Sequence, residues 1–343
     1  MKKNMFLLML TGFLAFSILG CGISREKESG ERNNGDAVRE QESSEKENSS
    51  METVESTEEE FSFASLKNLR FCFSSGAGAW GTTMVVREDG TFSGEYSDSD
   101  MGDTGDGYPA GTMYLCNFTG RFTEPEKVNA YTYSTEIQEL NCGKEPGTEE
   151  IKGDILYKYS TPYGLEEAKN ILIYLPGAPL SELSQDFRGW VGYYELSGTE
   201  ETVLPFYALN NESLQQGFSS YDIRENWENA IQSVSERSEE LENSITNDPL
   251  NQSELNETSM ELFELWDDAL NILWKDLKQI LDEEKMALLT REERAWIESK
   301  DQETAKAGAE CEGGSMQPML ENLKAANMTK ERVYELMEII ERN

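Results

Sequence analysis

Residues 82–97 read TTMVVREDGTFSGEYS. Phe92, Gly94 and Tyr96 alternate with Ser93, Glu95 and Ser97, a period of two that sends one face to a core and the other to water. Asp89-Gly90 just before them is a tight-turn dipeptide, and residues 82–86 supply a second extended run, so the stretch predicts a β-hairpin. Comparable runs lie on either side, at 69–73, 113–122, 128–140, 155–159, 170–175, 190–196 and 203–207. Turn chemistry separates several of them, at Glu124-Pro125, Glu145-Pro146-Gly147 and Leu175-Pro176-Gly177. Many short strands rich in Tyr, Phe and Thr, with little helical periodicity, predict an antiparallel β-barrel or sandwich over residues 61–217, and a closed or nearly closed barrel fits best.

The pattern changes after residue 217. Ile223, Trp227, Ile231 and Val234 recur at helical spacing and Leu241 and Ile245 continue the stripe, so one amphipathic helix should end before Asp248-Pro249. A longer apolar pattern runs over 260–289, through Phe263, Trp266, Leu270, Leu273, Trp274, Leu277 and Leu281. Thr290 with Glu293 has the spacing of a capping box for a next helix, Gly313-Gly314 breaks the chain before Ser315, and Thr329 could cap a last helix through Leu336 and Ile340. Short connections imply antiparallel neighbours, so the fold class is α+β, with a β domain followed by a C-terminal α-helical bundle over 221–343.

The start of the chain speaks to location. Lys2 and Lys3 precede an apolar run over 5–19 that suits a signal-peptide core better than a membrane span. Ile18-Leu19-Gly20-Cys21 resembles the lipobox of bacterial lipoproteins, so Cys21 is the expected lipidation site, with residues 1–21 as the signal peptide. The expected location is the extracytoplasmic face of the cell membrane, held by the lipid. Residues 22–60 are nearly all Glu, Ser, Asn, Lys and Gly, a composition expected to form a disordered acidic tether.

Charge and missing residue types exclude several chemistries. The formal net charge is -36 over 343 residues, which argues against nucleic acid as a partner and for basic proteins or cations. No histidine is present, which removes Ser-His and Cys-His nucleophilic arrangements and the commonest zinc ligand. Outside the cytoplasm a disulfide is chemically permitted, and Cys72, Cys116 and Cys142 share the β domain, but the sequence leaves their pairing open. Asp98, Asp100, Asp103 and Asp106 sit in SDSDMGDTGDGYP, where closely spaced carboxylates could gather around Ca²⁺; the plainer reading is a solvated acidic loop, since the spacing is not that of an EF-hand. No other cofactor is expected.

Several pieces of the helical half, in order, carry a family pattern. They are Leu255-Asn256, Asp267 with Leu270-Asn271, Trp274, then Glu293, Ala295-Trp296-Ile297, Lys300-Asp301, Gly313-Gly314-Ser315, and Thr329, Arg332 and Leu336. Residues 255–340 resemble the lysozyme inhibitor LprI-like family, α-helical domains of secreted bacterial proteins. The resemblance makes Asn271, Trp296, Asp301, Thr329 and Arg332 the family-motif residues. It also implies two departures: Lys300 replaces an Arg, and Thr304 and Ala325-Ala326 stand where the family places cysteines, so the family's disulfide should be absent and Cys311 left without a local partner. Apolar-face residues such as Trp296 read as core, and the polar motif residues as caps or a buried network as readily as contacts.

The implied function is a non-catalytic binding role in the cell envelope, with a basic envelope-active protein such as lysozyme as partner. The alternative is a small-ligand carrier or an enzyme built on the β domain. An open, aromatic-lined barrel would favour the carrier and a filled interior a scaffold.

Overall fold

The computed structural model describes residues 60–76 and 79–342. After a 3-10 turn at Phe63–Leu66 come strands β1 (Leu69–Ser74), β2 (Trp80–Val86), β3 (Thr91–Asp100), β4 (Thr112–Phe122), β5 (Glu126–Asn129), β6 (Thr132–Thr135), β7 (Ile137–Cys142), β8 (Glu149–Lys152), β9 (Ile155–Tyr159) and β10 (Ile171–Tyr174). A short helix α1 (Gln185–Trp190) precedes β11 (Ala208–Asn211) and β12 (Gln216–Asp222). Four long helices follow: α2 (Ile223–Asn247), α3 (Gln252–Ile280), α4 (Glu283–Ala309) and α5 (Gln317–Arg342). The α+β order of the sequence reading is the order found.

All twelve strands join one sheet, in the order β5-β6-β10-β11-β12-β1-β2-β3-β4-β9-β8, with β7 also on β4. The hairpin is β2–β3, paired from Trp80↔Asp98 to Val86↔Phe92. The sheet is not a closed barrel. Residues 132–142 are divided between two neighbours, β6 pairing with β10 and β7 with β4, and the ladder shifts register at Arg121/Phe122. That division curls the sheet without joining its edges β5 and β8. One pairing, β4 with β9, is parallel, another departure from the all-antiparallel expectation.

Alternation sorts the side chains by face. Phe71, Phe73, Met84, Phe92, Ile173 and Phe218 point into the curl and, with their neighbours, fill it as one buried core. On the other side of β10 and β11, residues 178–206 lay Phe187, Leu180 and Leu204 over Tyr174 and Ala208. The runs read as strands at 190–196 and 203–207 belong to this covering segment: Trp190 ends α1, and Val203 makes only an isolated bridge to Pro179. The junction with the helices holds no linker. Strand β12 reaches Asp222, whose side chain caps α2 by accepting from Arg224 N at 2.8 Å, while Ile223 N donates to Asn68 O at 2.9 Å.

The remaining outer face, on β12, β1, β2 and β3, packs against α2 and α3. Val85 enters the helical core beside Trp227, Trp266, Leu273 and Val333. Next to it lies a buried polar node. Arg70 pairs with Asp276 at 2.9 Å and Arg70 Nη2 donates to Gln279 Oε1 at 3.0 Å, while Trp227 Nε1 donates to Asp276 Oδ2 at 2.7 Å. Burial works to lower the Arg70 pKa, and Asp276 and Tyr221 together outweigh it and keep the guanidinium charged.

Helix boundaries correct two expectations. The long apolar pattern over 260–289 is not one helix: it breaks at Leu281, and Asp282 Oδ1 caps α4 by accepting from Lys285 N at 2.8 Å. An acidic cap followed by Glu283 and Glu284 suits the positive end of a helix, and it starts α4 seven residues before Thr290. Thr290 lies inside α4 and donates to Met286 O at 2.7 Å. Thr329 likewise lies inside α5, donating to Ala325 O at 2.8 Å. The capping box belongs instead to Asn251 and Glu254, at the start of α3.

Candidate functional site

Helix α5 packs between α3 and α4, and its polar residues face both. Asn322 Nδ2 donates to Asn256 O at 3.3 Å and to Ser259 Oγ at 3.2 Å, stitching α5 to α3. Nearly three turns on, Arg332 Nε donates to Glu293 Oε2 of α4 at 2.9 Å, with both side chains about nine-tenths buried. Arg332 Nη1 also reaches Glu335 at 2.7 Å. Burial works to lower the Arg332 pKa, and the Glu335 and Glu293 carboxylates outweigh it, so the cation persists.

From this pair a chain of charge and ring contacts runs across the surface to α3. The Arg332 guanidinium lies 5.9 Å from the Trp296 ring and Lys300 Nζ 5.2 Å from it, so the half-buried indole stands between two cations. Lys300 also lies 5.2 Å from the Phe263 ring and 3.8 Å from Asp267 Oδ1. Asn271 Nδ2 donates to Asp267 Oδ2 at 3.0 Å. Burial, then the neighbouring Asp267 charge, raises the pKa of Asp268.

Of the five motif residues, Asn271, Trp296 and Arg332 thus belong to one network, linked through Asp267, Lys300 and Glu293. Thr329 is buried and serves its own helix, and Asp301 is exposed on α4 outside the network. Of the Asn256, Ser259 and Asn322 cluster, the sequence pattern held Asn256 but not its two partners. The cluster's signal was Asn322, a polar residue amid the apolar positions of α5.

The chemistry available here is recognition. Each charge of the network is held by an opposite charge or a ring, and next to Trp296 on α4 stands an apolar side chain open to solvent, Ile297, at 43% exposure. A fixed aromatic–cation core with an exposed apolar side chain at its margin has the composition of a protein-contact surface.

The other expected sites lie elsewhere. Cys21 and most of the tether fall outside the described residues. In the acidic loop, Asp100 Oδ1 accepts from Gly102 N and Asp103 N, Asp98 Oδ1 accepts from Ser99 N, and Asp103 pairs with Lys158 at 3.0 Å. The carboxylates hold the turn, and no group of three or more acidic or Cys ligands among the described residues is placed to hold a metal ion. Two clefts, of about 320 and 430 Å³, lie on the seam between sheet and helices. In the smaller one Lys67 pairs with Glu88 at 3.7 Å and Lys285 with Asp282 at 3.4 Å. Among the described residues no helix is long and apolar enough to cross a membrane.

A stretch of 53 residues, 16% of this chain, is 43% identical to an uncharacterized protein of Rhizobium meliloti (strain 1021) and covers 38% of that protein's length. No solved structure matches. Residues 246–336, which run from the end of α2 through the Trp296 network into α5, match the model of the lysozyme inhibitor LprI family.

Proposed function

We propose that this chain is an extracytoplasmic lipoprotein, anchored through Cys21, whose helical half binds a basic envelope-active protein such as lysozyme without catalysing a reaction. The observation that carries the reading is the family match over 246–336, which falls on the helices that build the Trp296 network. Charge supports it: residues 221–343 carry an acidic excess of about seventeen, which would speed encounter with a cationic protein. The filled interior of the curled sheet supports a scaffold role for the β half over a ligand carrier.

The test is inhibition of lysozyme by the whole chain at low and at physiological ionic strength, beside an unrelated acidic protein of similar charge. Inhibition that survives physiological salt and falls in Ile297→Ala is expected, because the exposed isoleucine contributes contact area without supporting the fold. Inhibition that vanishes with salt, or is matched by the control, would leave nonspecific attraction only. For the anchor, Cys21→Ala should move the protein from the membrane fraction to the soluble one. A variant that still sediments with membranes would remove the anchoring role.

A further inference from the structure

Four cysteines, Cys72, Cys116, Cys142 and Cys311, fall within the described residues. Two of them are neighbours. In the β4–β7 ladder Phe118 stands opposite Cys142, and Cys116 lies two residues from Phe118 and so on the same face. Cys116 is buried in the core that fills the curl, and Cys142 is half-buried against it. Their thiols stand near enough to influence one another. The other two are apart from them: Cys72 sits on β1 between the inward-facing Phe71 and Phe73, with its sulfur 4.0 Å from Ser74 Oγ, and Cys311 lies in the turn between α4 and α5.

We propose that Cys116 and Cys142 are a redox pair, which closes to an intramolecular disulfide joining β4 to β7 when the folded chain meets a disulfide oxidant. The oxidant is a low-molecular-weight disulfide or the active-site disulfide of a thiol oxidoreductase. Cys142, the less buried of the two, attacks one oxidant sulfur as the thiolate; the oxidant's S–S bond breaks, a mixed disulfide forms and one thiolate leaves. Cys116 then gives up its proton and attacks the Cys142 sulfur. The mixed disulfide breaks, the Cys116–Cys142 bond forms, and the second thiolate leaves. The pair loses two electrons and two protons, and the oxidant gains them as two thiols. Burial, then contact with Cys142, pushes the Cys116 thiol up to about 12, so closure is the slower step.

The position gives the bond a structural effect. Cys142 ends the segment 132–142 that is divided between β10 and β4, so a bond to β4 would fasten the piece that curls the sheet. Closing a loop of this length should raise Tm by roughly 5–10 °C.

The whole folded chain is incubated with oxidised glutathione, alkylated in denaturant and digested with trypsin. The expected product joins the peptide 88–121 to the peptide 128–144, with Cys72 and Cys311 alkylated. The Tm gain should appear in the parent chain and vanish in Cys142→Ser, whose circular dichroism should match the reduced parent. Alkylation of both Cys116 and Cys142, glutathione retained on Cys142 without closure, or a cross-link through any other cysteine would overturn the pairing. This outcome does not depend on the lysozyme reading, since the assay needs neither membrane nor partner.

Discussion

Asp276 joins the two halves of the molecule. It accepts from Trp227 and pairs with Arg70 across the seam, with only 6% of its side chain exposed. Asp276→Ala should cost about 3–5 kcal/mol in urea unfolding, because it leaves the Arg70 charge buried and unpaired. The double change Arg70→Met, Asp276→Leu should recover most of that loss. If the single and double variants lose equally, the ion pair is not the cause. A second test at this scale is Glu150, whose Oε1 accepts from Lys144, Tyr159 and Lys152. Lys144, then Tyr159 and Lys152, lower its pKa from 4.5 to about 2. A lowered folded value means that its contribution is complete above the ordinary glutamate value and lost as pH falls from 4.5 toward 2. A carboxyl titration by NMR should therefore place Glu150 near the bottom of that window, and a midpoint near 4.5 would show that the three donors do not hold it. Neither residue stood out in the sequence, since Asp276 and Glu150 look like any surface acid until the fold brings their partners from 206 and 6 residues away.

Strands β3 and β4 show what the period-two pattern held and what it hid. Phe92 lies opposite Gly120, and Gly94 opposite Phe118, so each ring covers a glycine on the next strand. A Cβ on Gly120 would stand 2.2 Å from Phe92 Cζ, and one on Gly94 would stand 2.3 Å from Thr83 O and 2.4 Å from Phe118 Cζ. Gly94→Ala and Gly120→Ala should each cost about 3 kcal/mol, read from urea or thermal unfolding, by forcing rings and backbone apart. Losses under about 0.5 kcal/mol would mean that the ladder shifts freely. The alternation in residues 91–97 was legible because it is local; the ring-over-glycine fit was not, because it depends on register with a strand about 26 residues later. The helices follow the same rule. α2 was readable from its own stripe, whereas the α3–α4 break turned on a contest between Asp282 and Thr290 that apolar spacing does not record. The family motif was legible as a string, but its division into a network of three, one buried helix bond and one exposed aspartate needed the packing of α5 between α3 and α4.

At the scale of the whole molecule, the sheet and the helices share a core, with Val85 of β2 among the buried residues of α2, α3 and α5. Urea unfolding followed by tryptophan fluorescence and by far-ultraviolet circular dichroism should therefore give coincident transitions. Two separated steps would show that the seam is too weak to couple the halves. The curl itself was only partly foreseen: strand number and aromatic content suggested closure, while the split of residues 132–142 between β10 and β4 is a matter of pairing between distant segments. One feature of that pairing reaches into how the molecule is made. Strand β1 is joined to β12 from Leu69↔Asp222 to Cys72↔Ser219, so the middle of the sheet is built from segments about 150 residues apart. During synthesis β1 can pair with β2 at once, yet its other side stays bare until β12 has emerged, and β12 runs directly into α2. A chain that emerges N-terminus first at about 5–20 residues per second would carry this open, adhesive strand for on the order of ten seconds before residue 222 appears.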